Sequence, residues 1–465
     1  MQQSDSLELV AQPDESRASF VLLSFLIVVF ATAFFVNEVD WDASTYDNYA
    51  ASPDDAEDQV ALGKSSRKIS YFAIGILGAL LFVLPSRQQI SFFNLPVALL
   101  CLYFLFCLAS FIWTDAAWLT TKRMVIAIFG VLAIVGTAKH LSTRDIIDAS
   151  LGIGTILLAI SLCVELSLGT FAPQSNEYRF AGVVHPNTQG GACGLMVIAA
   201  FFGMKASHRG KLIYLGFLLL AGLFMIMTKS RTSVAACLCG VSAAWYLVAP
   251  RDKQTLVGLG LPVAVCSGLA ALLLFGAELT SSATAAAQFG RGAEADLLTL
   301  NGRIPLWTSL LEHVAERPML GFGYQGFWTP DRIYEVSLEQ EWTVPSAHSV
   351  FLDVLLSTGL VGATIFGLGT IVAFRRITQH CLQTADPTDG FVFAAFVYAM
   401  IGGIFESGFS QPNGFEPFIT GVALIHVMSR RTRTELAGVV PTHETDPLSN
   451  WAAVAAGGLA QCESP

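Results

Sequence analysis

The residues best suited to chemistry lie in a few short stretches. His348 opens "AHSVFLDVLLSTGLVG" (347–362), one turn before an apolar run. A neutral imidazole takes up a proton near pH 7 and can serve as a general base. Asp353 follows five residues later, a turn and a half deeper, where it would orient a partner or bond within a helix bundle. Three arginines precede this base in the sequence: Arg179 in "NEYRFAGVVHPNTQGG", Arg231 in "TKSRTS" and Arg303 in "NGRIPLW". A guanidinium binds two phosphate oxygens at once through its planar fork. One base beside several guanidiniums suits a reaction in which a hydroxyl attacks and a phosphate leaves. Taken singly, each residue also has an ordinary reading, as a structural histidine or a snorkelling charge.

The neighbouring residues sharpen the pattern. His185, Pro186 and Asn187 fall in the first turns of an apolar run, followed by Gly190 and Gly191. Proline and paired glycines at membrane depth predict a broken or closely packed helix. His185 and Asn187 are then either functional or bonded to neighbouring helices. "TKSRTS" is a tight turn ahead of the next helix, whose free N–H groups would favour an anion. "NGRIPLWTSLLEHVAERP" (301–318) predicts an amphipathic helix with Leu306, Leu310, Leu311 and Val314 on one face and Pro318 as its stop. That face would rest on the membrane surface or cap a cavity. "GFGYQGFW" (321–328) offers glycine turns and aromatic planes, for packing on sugar rings or for anchoring at the lipid interface.

These residues need a scaffold, and the composition dictates its kind. The chain has 465 residues, 53% hydrophobic and only 13% charged, with mean hydropathy +0.58. Soluble proteins carry about 25% charged residues. The fold class predicted is therefore an all-α polytopic membrane protein. Apolar runs near 18–36, 69–84, 93–113, 123–138, 146–168, 182–204, 211–228, 232–249, 255–276, 347–373, 390–406 and 413–429 give about twelve transmembrane helices. The run at 390–406 is the weakest, being short and ending in Glu406. With the amino terminus in the cytoplasm, the short basic loops "KHLSTRD", "KASHRGK", "RDKQ" and "RRITQHCLQTADPTD" fall inside. The acidic 37–68 segment, "TDAAWLTTKR", "TKSRTS" and one long loop of about 277–346, with short amphipathic helices, fall outside. Residues 1–17 and 430–465 are expected as cytoplasmic tails around a membrane domain of 18–429.

Several classes are disfavoured. The net charge of -10 argues against nucleic acid. The nine cysteines show neither metal-ligand spacing nor a disulfide framework. No nucleotide-binding signature is present, and no cofactor is expected. A secondary transporter of a small anion or solute is the main alternative; it would rely on Glu165 and His426 at mid-depth, but no internal repeat is evident.

The motifs resemble, in order, those of the O-antigen ligase and polymerase superfamily, which includes O-antigen ligases, Wzy-type polymerases and ExoQ-like exopolysaccharide polymerases. The likeness runs over about residues 90–430, through "RFAGVVHPN", "SRT", "NGRIPLW", "ERPMLGFG" and "AHSVFLDVLLSTGLVG". It is strongest to the exopolysaccharide branch, through "GRIPLW" and "ERPMLGFGYQGFW". The resemblance implies a metal-independent, inverting glycosyltransferase of the bacterial inner membrane, with both termini cytoplasmic and its active site periplasmic. It would move a glycan from undecaprenyl diphosphate to a hydroxyl of another lipid-linked glycan or of lipid A–core. A chain-length regulator protein and membrane lipid are the partners implied. By motif, His348 would be the base; Arg179 and Arg303 would hold the diphosphate with Arg231 in support; His185, Asn187 and Asp353 would be accessory. Two positions depart from the family pattern: Ser349 follows the histidine where Asn is common, and Ile304 follows "GR" where Thr is common.

Overall fold

The computed structural model describes residues 13–38, 65–86, 94–175, 178–182, 184–207, 210–249, 302–408 and 414–429. Among these residues the chain is helical, with no strand. The helices are α1 (Pro13–Glu38), α2 (Ser65–Val83), α3 (Leu95–Ala109), α4 (Ala117–His140), α5 (Thr143–Leu168), α6 (Pro186–Ala206), α7 (Lys211–Met227), α8 (Arg231–Val248), α9 (Arg303–Glu316), α10 (Pro330–Gln340), α11 (Val350–Thr384), α12 (Pro387–Phe405) and α13 (Phe415–Met428). Nine of them are long and apolar enough to cross a membrane, and α7 and α13 are shorter apolar helices. The chain is a polytopic membrane protein. The expected span at 255–276 and the first part of the long loop lie outside the described residues.

Local sequence sets the helix ends. Ser142 and Asp145 form a reciprocal capping box that starts α5, and left-handed Gly169 ends it. Pro186, Pro330 and Pro387 each open a helix, where a missing N–H costs nothing. Small residues bring the helices close. A side chain at Gly78 of α2 would overlap the backbone of α4 at Ala133, and one at Gly240 of α8 would meet the Ala394 carbonyl of α12. The core gathers large rings, with Phe30, Phe34, Phe415 and Phe418 packed together across α1 and α13.

Two boundaries differ from expectation. The stretch "TDAAWLTTKR" is not all loop: α4 begins at Ala117, so Lys122 and Arg123 belong to its first turns. The run expected at 347–373 is the helix α11, which starts at Val350, continues to Thr384 and breaks at Gly359 (φ 60°, ψ −163°). Successive helices alternate direction. One end of the bundle therefore collects the α5–α6, α8 and α12–α13 approaches together with α9, α10 and the start of α11. His348, Asp353, Arg179, Arg231, Arg303, His185 and Asn187 lie at that end, whereas His426 lies at the other, against Ala138 near the end of α4.

Candidate functional site

His348 stands just before α11 in a left-handed backbone conformation (φ 47°). This region is sparsely occupied by residues with side chains, although His visits it more than most. The backbone on both sides is tied down. The Ala347 N–H donates to Asp353 Oδ1 (3.3 Å), the Ala347 carbonyl accepts from Trp307 Nε1 (2.9 Å), and the Ser349 N–H donates to Ser407 Oγ (3.1 Å). Asp353 also accepts from Trp328 Nε1 (2.9 Å). The expectation that it bonds within the bundle thus matches the geometry. Through these bonds it fixes the turn that carries His348. Ser349 contributes its backbone N–H here.

The imidazole faces Glu406, the C-cap of α12, with His348 Nδ1 3.6 Å from Glu406 Oε2. A carboxylate beside Nδ1 favours the tautomer with the proton there, so the lone pair falls on Nε2. Nε2 is buried and has no hydrogen-bond partner among the described residues. The ring of Trp342 packs alongside, with centroids 5.4 Å apart.

Glu406 joins the separate motifs into one network. Its Oε1 accepts from Arg303 at 2.6 Å and from Asn187 Nδ2 at 2.8 Å. Asn187 in turn accepts through Oδ1 from Arg179 (2.8 Å), whose Nε donates to the Thr228 carbonyl (3.0 Å). Burial by itself would raise the Glu406 carboxyl. The neighbouring His348 imidazole and the Arg303 guanidinium, with a smaller contribution from His185, outweigh it and hold the carboxyl at about 2. His185 has a structural duty as well: its Nδ1 accepts the Asn187 N–H at 3.1 Å and so caps α6.

Arg231 begins α8, which is capped by Ser230. It lies close enough to Arg303 for the two charges to repel. Gly190 packs against Thr228, Ser230 and Ser233, and Gly191 leaves room for the Glu416 carboxylate of α13, which accounts for the paired glycines. The structure therefore brings His348, Arg179, Arg303, Asn187 and His185 together around Glu406, with Arg231 beside Arg303.

The segment after Arg303 builds the platform above α11. Leu306 and Leu310 of α9 are buried with Ile333 and Val336 of α10, Phe327 and Trp328, while Leu311 is exposed and Val314 only partly covered. The amphipathic face thus packs on protein, not on a membrane surface, and Leu311 does not belong to it. The loop 321–328 corrects a second expectation. Phe322, Phe327 and Trp328 are buried in this small core, so these rings neither present faces to a sugar nor anchor at the lipid interface. Arg123 of α4 donates to the carbonyls of Gln325 and Trp328, and Ser110 Oγ and Ser357 Oγ accept the N–H groups of Tyr324 and Gln325. The break at Gly359 explains the docking. It exposes α11 backbone, and Phe322 N–H bonds to the Leu356 carbonyl (2.8 Å) while Leu360 N–H bonds to the Pro318 carbonyl (2.8 Å).

Comparison with known proteins bears on these motifs. The family model described as O-antigen ligase matches residues 215–367, which include Arg231, Arg303 and His348. The exopolysaccharide production protein ExoQ of Rhizobium meliloti (strain 1021) is 25% identical over 313 residues, covering 61% of this chain and 68% of the relative. Both are likenesses to the O-antigen ligase and polymerase family. The family-model match ends before α12, and Glu406 lies beyond it. In the sequence, Glu406 reads only as a charge that ends a short span. The signal available was charge: three arginines at one end of a bundle call for a counterion, and Glu406 ends a span at that same end.

Proposed function

We propose that this O-antigen ligase- or polymerase-type protein is a glycosyltransferase that moves a glycan from undecaprenyl diphosphate to an acceptor hydroxyl at the outer face of the bacterial inner membrane. The observation that carries the reading is the base aligned by a carboxylate within a cluster of guanidiniums. In this reading the acceptor O–H gives its proton to His348 Nε2 as its oxygen bonds to the anomeric carbon. The bond from that carbon to the diphosphate oxygen breaks on the opposite face, so the configuration inverts. The leaving diphosphate carries its negative charge into the cluster of Arg303, Arg179 and Arg231. Glu406 stabilises the imidazolium formed, as the buried aspartate does in a serine-protease triad. Leaving-group charge is met by guanidiniums in this scheme, so it calls on no metal.

A polymerase is favoured over a ligase by the likeness to an exopolysaccharide production protein. The two residues on which a transport reading would rely are engaged within the bundle. Glu165 accepts three hydrogen bonds from its own protein, and His426 is fully buried with Nδ1 3.3 Å from the Ala138 carbonyl. The test is reconstitution in liposomes with an undecaprenyl diphosphate-linked glycan, reading release of the bare lipid carrier and growth of the product. Wild type should release carrier and lengthen or transfer the glycan. His348→Ala, still folded and inserted, should lose about 10²-fold or more in rate. Near-normal turnover in that variant would remove the base assignment.

A further inference from the structure

Glu165 is a buried carboxylate that the proposed chemistry leaves unused. It sits near the end of α5 at the site end of the bundle and is 2% exposed. Its Oε1 accepts the backbone N–H groups of Ala181 (3.0 Å) and Gly182 (2.7 Å), and its Oε2 accepts the hydroxyl of Tyr178. All three donors belong to one five-residue segment, Tyr178 to Gly182, and Arg179 lies inside it. The segment has no helix of its own to hold it. Its other ties include the Tyr178 N–H bonded to the Ser175 carbonyl (3.2 Å), the Phe180 N–H bonded to the Met227 carbonyl (2.9 Å), the Tyr178 ring against Phe171 and the buried Phe180 ring against Phe224. Gly182 is in the left-handed region (φ 67°), and a side chain there would overlap Ser161 of α5. The turn is thus pressed against the same helix that supplies the carboxylate.

Burying a carboxylate is costly unless its oxygens are met by donors. A hydroxyl or an apolar side chain would pack the turn at less cost. What a carboxylate adds is a fixed three-point clamp, with two donors on one oxygen and one on the other. The clamp sets where the Arg179 Cα sits. From there Arg179 reaches Asn187 Oδ1 and the Thr228 carbonyl, and through Asn187 it joins Glu406. We infer that Glu165 is a positioning residue for the lipid-diphosphate donor: it holds the Tyr178–Gly182 turn so that the Arg179 guanidinium meets the diphosphate. The inference rests on the donor site proposed above and adds a residue to it that does not touch the donor.

The experiment measures binding of undecaprenyl diphosphate to the full-length protein in lipid nanodiscs, with no turnover needed. Glu165→Ala should weaken binding about tenfold or more, comparable to Arg179→Ala. Glu165→Gln keeps an acceptor for the two N–H groups and should stay within about threefold of wild type. Because Glu165 acts through Arg179, the double variant Glu165→Ala/Arg179→Ala should bind no more weakly than Arg179→Ala alone. A role in packing alone would leave affinity unchanged in Glu165→Ala, or would multiply the two losses; either result overturns the inference. Should Glu165→Ala not fold, Tyr178→Phe removes one of the three bonds and should weaken binding about threefold, again with no further loss in the Arg179→Ala background. Unchanged binding in Tyr178→Phe would then overturn it. If Arg179→Ala itself binds as wild type, the donor site is wrong and this inference falls with it; if only the Glu165 and Tyr178 variants bind as wild type, the donor site stands and the clamp alone is refuted.

Discussion

At the residue scale, Glu406 carries two loads, and each gives a measurable consequence. Its carboxyl is held at about 2 in the folded protein, below the ordinary 4.5, because cationic neighbours outweigh burial. A depressed carboxyl stabilises the fold above the unfolded value, and that stabilisation is lost as pH falls through the folded value. Glu406→Gln should therefore lower thermal stability at pH 7. The gap to wild type should stay full down to about pH 4.5 and close between there and about pH 2, as the wild-type carboxyl takes up its proton. Melting curves in detergent across that range test this; a gap that persists unchanged to pH 2 would show that charge is not the cause. The second consequence concerns Arg303, which spends one nitrogen on Glu406 and has the rest of its fork for an anion. Arg303→Lys keeps the charge and loses the fork, so the donor KM in the reconstituted assay should rise about tenfold or more. An unchanged KM would mean that Arg303 serves Glu406 only.

At the scale of elements, the break in α11 is the feature on which the platform depends. Gly359 turns the helix with positive φ, and its backbone approaches Met319 so closely that an added side chain would overlap the Met319 carbonyl. Gly359→Ala must therefore both strain the backbone and push the 318–322 segment away. The expected loss is roughly 2–5 kcal/mol of stability, with the rate falling further because the 318–322 segment docks the platform that begins at Arg303 and ends at His348. Gly367 of the same helix has open space around it, so Gly367→Ala should be neutral or slightly stabilising. Equal effects of the two substitutions, read by melting temperature and turnover, would deny the break any special role. This element also marks where sequence reading stops. The apolar runs were legible because bilayer thickness imposes a length that composition displays. "GFGYQGFW" was misread because its meaning is a docking surface at Gly359, Ser357, Ser110 and Arg123, distant in sequence and without periodicity. Glu406 was missed for the same reason: its partners Asn187, Arg303 and His348 come from three other segments.

At the scale of the whole molecule, charge asymmetry and the site must agree on which side of the membrane each end faces. The end opposite the site carries Lys139, Arg144, Lys205 and Lys211 at or near helix ends, and Arg375 and Arg376 in the last third of α11. Short basic connections of this kind stay in the cytoplasm. The site end has basic residues too, among them Lys122, Lys229 and Arg231, but Arg303 is paired with Glu406, Arg317 with Asp115 and Arg332 with Glu316, Arg179 is bonded to Asn187 and Thr228, and Arg123 is bonded to the 321–328 loop. These paired and bonded side chains are committed to the fold and the site, so they do not report on orientation as free loop charges do. The orientation we propose puts α9 outside and the α11–α12 turn inside. Glu312 of α9 and Gln383 at the end of α11 are both exposed, which makes them suitable reporters. In a background with the native cysteines replaced, Glu312→Cys should react with a membrane-impermeant maleimide applied to cells whose outer membrane has been permeabilised. Gln383→Cys should react only after the inner membrane is disrupted. A lipid-linked donor displayed outside, where nucleotide sugars are not supplied, is what the proposed chemistry requires. Labelling in the reverse sense would place His348 and its arginines on the cytosolic side, and the proposed reaction would have to be abandoned.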